Sequence, residues 1–129
     1  MKKYIWIVIA FATFLTITAC HKHEEAISAE ITFVEPSTND TILIGTELHV
    51  EGTIVGSGEL HGYSISFMNV ANDSVVYTVS SAAHNNSYAF HEHWMNNVSD
   101  TTIMKVTIDA MLDHDGTKTS KSVNVVCLP

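Results

Sequence analysis

Ile103-Met104-Lys105-Val106-Thr107-Ile108-Asp109-Ala110-Met111-Leu112 sets Met104, Val106, Ile108, Ala110 and Leu112 in alternation with Lys105, Thr107 and Asp109. Successive strand side chains point to opposite faces, so this alternation reads as a strand with one dry and one wet face. Asp113-His114-Asp115-Gly116 follows it. An Asp-Gly pair supplies the positive φ that a tight hairpin turn requires. Val123, Val125 and Cys127 repeat the two-residue period on the returning strand.

The same pattern extends towards the amino terminus. Tyr88, Phe90 and Trp94 share one parity, and Asn96 to Asp100 is a polar break before the strand quoted above. Val75 to Val79 follows the Asn72-Asp73 turn, and Ser80 to Asn86 is a polar loop that holds His84. Tyr63, Ile65 and Phe67 alternate with Ser64 and Ser66, and Leu48, Val50, Gly52 and Ile54 alternate with His49, Glu51 and Thr53. Val55 to Glu59, with Gly56 and Gly58, reads as the loop between them. Thr41 to Gly45 is a short edge-like piece, and Ile31 to Val34 ends at Glu35-Pro36, where proline stops a ladder. Seven or eight short strands, separated by turns every 8–12 residues or so, predict an all-β chain: an immunoglobulin-like or fibronectin-type β-sandwich.

Lys2 and Lys3 precede Tyr4 to Ala19, an uncharged apolar run of 16 residues. As a helix this run is about 24 Å long, short of a hydrocarbon core of about 30 Å. A basic start, a short apolar core and small residues before a cut are the marks of a secretory signal. Ile17-Thr18-Ala19-Cys20 resembles the lipobox of bacterial lipoproteins. That resemblance implies cleavage before Cys20 and acylation of it, a lipid anchor (palmitate among its chains) holding the protein to the membrane. The expected organisation is a signal peptide over 1–19, a lipidated Cys and tether over 20–29, and one sandwich domain over 30–129. His21-Lys22-His23-Glu24-Glu25 loosely resembles the tracts that follow the lipidated cysteine in surface-exported lipoproteins of Bacteroidetes-type bacteria. The proline before a split first strand, then Gly45-Thr46-Glu47-Leu48-His49-Val50-Glu51-Gly52, resembles lipoproteins of such bacteria that carry an immunoglobulin-like domain of unknown function. The second resemblance covers residues 31–127. Together they imply a cell-envelope location, on the outer membrane and open to surface display.

Removing residues 1–19 leaves four lysines, no arginine and 14 acids, a formal charge of −10 with histidines neutral. Such a surface repels phosphate backbones, so no nucleic-acid partner is expected. It also repels anionic lipid, which leaves the acyl group to hold the membrane. With Cys20 acylated, Cys127 has no partner for an intrachain disulfide. The 98 residues from Glu30 to Cys127 suffice for one core and not for two.

Histidine is the chemical resource. In an immunoglobulin-like topology the B–C, D–E and F–G loops gather at one end. His61 closes the first of these, His84 sits in the second, and Asp113, His114 and Asp115 form the third. Imidazoles with carboxylates suit Zn²⁺ or another divalent transition metal. An alternative set is His91, His93 and Met95, which share one face of a strand, with the thioether favouring copper. That strand also turns Glu92 inward, which is costly without a partner. No cofactor beyond Zn or Cu is expected.

No Gly-x-Ser-x-Gly elbow, phosphate-binding loop or carboxylate pair of glycosidase spacing is present, so no catalytic activity and no catalytic residue is expected. Two functions follow. The leading one is a lipid-anchored envelope module that contacts a protein or glycan, with Tyr63, Tyr77 or Trp94 as candidate contact residues. The alternative is a metal-binding lipoprotein using the clustered histidines.

Overall fold

The computed structural model describes residues 25–129, so the basic start, the apolar run, Cys20 and the tract to Glu24 lie outside the described residues. Eight strands make up the domain: β1 (Ala29–Glu35), β2 (Thr41–Leu43), β3 (Glu47–Leu60), β4 (Tyr63–Asn69), β5 (Ser74–Ser81), β6 (Asn85–Met95), β7 (Thr102–Met111) and β8 (Lys118–Leu128). They form two sheets, ordered β1-β3-β6 and β2-β8-β7-β4-β5. Only the β2–β8 pair is parallel. This is the all-β immunoglobulin-like, fibronectin-type sandwich expected from the alternation.

The alternating stretch becomes β7, in the middle of the five-stranded sheet between β8 and β4. Met104, Val106, Ile108 and Ala110 are buried, while Leu112 lies just past the strand and packs partly against the core. Facing them across the sandwich are Leu48, Val50 and Ile54 of β3 and Phe90 of β6, and Ile65 and Phe67 extend the core along β4. Tyr77 stacks on Phe67 at 5.1 Å between centroids, and Phe33 meets Phe90 edge-on at 6.2 Å. These core residues lie between Ile31 and Cys127, so residues 25–129 carry a hydrophobic core of their own.

Two local assignments differ from the sequence reading. Val55 to Glu59 is no loop, because β3 continues through it to Leu60. Ala29 of β1 still pairs with Gly56, and the Ser57 amide donates to the Ser28 carbonyl at 2.9 Å, while the register against β6 shifts between Val55 and Leu60. Gly56 makes this bulge possible, since a Cβ there would lie 2.8 Å from Leu60 Cγ. The strand preceding the His84 loop, β5, lies on the sheet opposite β6. It pairs with β4 through Tyr63–Ser81 and Ile65–Val79, so the loop crosses between sheets. Finally, Asn96, read as part of a polar break, is the buried polar residue of the domain. Its Nδ2 donates to the Ile42 carbonyl at 2.8 Å and the Leu128 carbonyl at 3.0 Å, and its Oδ1 accepts from the Val98 amide at 3.1 Å. The β6–β7 connection is thereby tied to both β2 and β8.

Ahead of β1 the chain runs along the far end of the sandwich. Glu25, Ala26 and Ile27 line a shallow cleft with Leu112, Asp113 and Thr117. The Ser28 amide donates to Ser57 Oγ at 3.0 Å.

Candidate functional site

Leu60 and Tyr63 are joined by only His61 and Gly62. Gly62 has φ +123°, and a Cβ there would sit 2.2 Å from the Ser81 carbonyl oxygen, so the end of β5 passes directly over this turn. The His61 amide donates to the Met111 carbonyl at 2.8 Å, and the Met111 amide donates back to the Gly62 carbonyl at 2.9 Å. These two bonds fasten the β3–β4 turn to the start of the β7–β8 turn. The Tyr88 hydroxyl lies against the carbonyl of Ala83 and 3.2 Å from that of Leu60, pinning the β5–β6 loop to the same end. Three connections remote in sequence are therefore held together by backbone bonds and the Tyr88 hydroxyl, and each carries one histidine.

The ring centroid of His61 lies 4.5 Å from that of His84 and 4.1 Å from that of His114, and His84 and His114 are 5.4 Å apart. Each offers a ligating nitrogen within 4.8 Å of the others. A Zn²⁺ ion at about 2.0–2.1 Å from each nitrogen needs them about 3.4 Å apart, so the rings would close in slightly on a bound ion. His61 Nδ1 is buried with no hydrogen-bond partner among the described residues. His84 Nδ1 lies 3.3 Å from Glu59 Oε1, so a ring N–H there would donate to the carboxylate and leave Nε2 to ligate. Glu59 is a residue the sequence reading missed, having placed it in a loop.

Asp113 and Asp115, expected to complete this set, are not in the group of three. Asp113 Oδ1 accepts from the Asp115 amide at 2.8 Å and the Thr117 amide at 2.9 Å, closing the β7–β8 turn. Hydrogen bonds from the Thr117 hydroxyl and amide, then from the Asp115 and Gly116 amides, hold its carboxyl below the ordinary value. The turn uses this carboxylate to position His114.

A second histidine group occupies the outer face of the three-stranded sheet. His91 and His93 share that face, and His49 of β3 brings a third imidazole to them. His49 pairs directly with His93 across the β3–β6 ladder, and Met95 pairs with Glu47. The His49–His93 centroids are 4.5 Å apart, as are those of His91 and His93. On the opposite face Glu92 turns inward as expected and accepts from the Tyr77 hydroxyl at 3.1 Å. Burial and then this contact raise the Tyr77 pKa; burial followed by the Glu92 charge raises that of Tyr63.

Tyr63, Tyr77 and Trp94, the candidate aromatic contacts, pack partly buried against the core. Among the described residues the exposed large hydrophobic side chains are aliphatic or methionine, such as Val34, Val75 and Leu43. No helix among the described residues is long and apolar enough to cross a membrane.

No protein-family model matches the chain, and no curated protein matches it in sequence. Among solved structures, the sporulation control protein Spo0M from Bacillus subtilis aligns with a TM-score of 0.54 at 9% identity, over 81% of this chain and 50% of that one. The chain thus spans half the length of Spo0M. A fibronectin(III)-like module of Clostridium thermocellum CbhA gives 0.47 at 13% identity, over 77% of this chain and 96% of the module. The CARDB domain of PF1109 from Pyrococcus furiosus, solved in complex with di-metal ions, gives 0.44 at 10% identity, over 80% and 94%. At such identities Spo0M is a likeness of fold alone, and the two weaker superpositions carry no argument about this chain.

Proposed function

We propose that this domain is a non-catalytic binding module of the bacterial cell envelope, carried by lipid on Cys20, whose ligand is a divalent transition metal held by His61, His84 and His114. The observation that supports the reading is the convergence of three imidazoles from three loops, one presenting a buried, unpartnered Nδ1. An orphaned buried polar atom costs about 1–3 kcal/mol, which a metal bond at that nitrogen would remove. Three imidazoles select Zn²⁺ or Cu²⁺ over Ca²⁺ or Mg²⁺, which prefer oxygen ligands. The remaining coordination position would be filled by water or by a donor on a partner, the arrangement of a site that captures or hands over an ion.

Calorimetric titration of residues 25–129, without an affinity tag, tests this. Zn²⁺ is expected to bind the rim site tighter than about 1 µM, about 8 kcal/mol of binding free energy. His61→Ala with His114→Ala is expected to remove that site, and its affinity in the parent should fall as pH drops through about 6.5, because only neutral imidazole ligates. A double variant that binds as many equivalents as the parent refutes the assignment. The anchor is tested separately: labelling of the full chain with a palmitate analogue in a bacterial host should be lost in Cys20→Ser.

A further inference from the structure

We infer that the outer face of the β1-β3-β6 sheet carries a second, independent divalent-metal site, formed by His49, His91 and His93 with the Glu47 carboxylate as fourth donor. His49 and His93 stand directly opposite in the antiparallel ladder, and His91 is the same-face neighbour of His93, diagonal to His49. Opposed residues have Cβ atoms about 4.5–5.5 Å apart and diagonal ones about 7–8 Å. Imidazole side chains are long enough to close those gaps around one ion. The three rings show this, with centroids 4.5, 4.5 and 6.1 Å apart and ligating nitrogens within 4.8 Å of one another.

Glu47 reaches into the same group. Its Oε2 is 3.5 Å from His93 Nδ1 and 3.7 Å from His49 Nε2, so one carboxylate oxygen lies beside two of the three rings. Three nitrogens and one carboxylate oxygen form a donor set for Zn²⁺ or Cu²⁺. The surrounding charge favours a cation. Glu51 pairs across the ladder with His91 and Glu35 pairs with Glu51, which puts further carboxylates at the margin of the site.

The two sites cannot share an ion. His61 lies just past the end of β3; the ladder pairs Leu60 with Asn85 and His49 with His93, so eight residues of β6 at about 3.3 Å each set the two groups roughly 25 Å apart. They also differ in construction. The rim site draws on three loops and a half-buried ring, whereas the sheet site draws on two paired strands and lies open to solvent. A metal on the sheet face is therefore accessible to an incoming donor, such as a carboxylate or imidazole of another molecule.

The inference stands apart from the rim assignment, and the experiment keeps them apart. Residues 25–129 carrying His61→Ala and His114→Ala are titrated with Zn²⁺ by calorimetry and, in parallel, with Cu²⁺ by electron paramagnetic resonance. One equivalent is expected to remain bound, with nitrogen hyperfine structure in the Cu²⁺ spectrum. Adding His49→Gln and His93→Gln should abolish it, while Glu47→Gln should weaken it about 10–100-fold. These side chains are exposed strand positions, and an unchanged circular dichroism spectrum would confirm that each variant is folded. Should the rim variant bind nothing, or should its binding survive His49→Gln with His93→Gln, the sheet site is refuted. Loss of the rim site alone, with the sheet equivalent intact, upholds this inference whatever becomes of the other.

Discussion

Asn96 offers a direct test of how the two sheets are joined. Replacing it with leucine keeps the side-chain volume roughly constant and deletes three hydrogen bonds, two donated to the Ile42 and Leu128 carbonyls and one accepted from the Val98 amide. A net hydrogen bond contributes about 0.5–1.5 kcal/mol, and a buried partner left unsatisfied costs about 1–3 kcal/mol. Ile42, Val98 and Leu128 are half-buried, so water can reach part of what is lost. Three bonds at about 1 kcal/mol each give a loss of about 3 kcal/mol, a large share of the 5–15 kcal/mol typical of a domain. For about 100 residues that corresponds to a melting temperature lower by roughly 12 °C. Trp94, the one tryptophan between residues 25 and 129, sits two positions away and reports unfolding by fluorescence. Urea titration should show a lower midpoint with an unchanged slope, and the exposed Asn86→Leu should shift neither. A loss below about 1 kcal/mol for Asn96→Leu would refute the view that this amide fastens β2 and β8 to the β6–β7 connection.

Two further outcomes follow from groups whose ionisation the fold alters. Burial pushes the Cys127 thiol above its ordinary value, so it stays neutral in the folded protein and should react with a thiol reagent only at the rate of unfolding. Because its pKa is raised, its contribution is complete below the unfolded value of about 8.5 and declines as pH rises beyond it; rapid labelling under native conditions would contradict the buried placement. Asp113 has the opposite sign. Its carboxyl is depressed by the Thr117 bonds, so its contribution is complete above about pH 4 and disappears as pH falls through the lower folded value. The difference in urea midpoint between the parent and Asp113→Ala should therefore be constant near neutrality and close in acid. A difference that persists unchanged at the acid end would show that the turn does not depend on the ionised carboxylate.

The fold was legible because burial imposes a two-residue period wherever one sheet face is dry, and β4, β7 and β8 carry that period without interruption. The reading failed where a local signal competed with a distant partner. Gly56 and Gly58 look like a loop, but the first makes room for Leu60 and lets β3 continue against β1. The convergence of His61, His84 and His114 followed from topology, since loops at one end of a sandwich meet whatever their sequence separation. His49 was not legible as the partner of His91 and His93, because cross-strand register is set by long-range packing that no short window contains. Asn96 and Glu59 were missed for a related reason, as their roles lie in what they bond to on other strands. Asp113 closes the turn that the Asp-Gly pair announced, since an aspartate there serves a backbone amide as readily as a cation.

Residues 25–27 run against the β7–β8 end of the sandwich, beside the loop that carries His114. This gives the molecule a polarity. If the chain hangs from lipid at Cys20, only four residues separate that cysteine from Glu25, a leash of about 17 Å at full extension across five peptide steps. The rim histidines would then face the bilayer they hang above, where an ion could be received from or passed to a membrane component. His49, near the opposite end of β3, would face away into the surrounding medium. One small sandwich would thus hold two metal stations at different heights above the membrane, their order fixed by the end from which the chain is suspended.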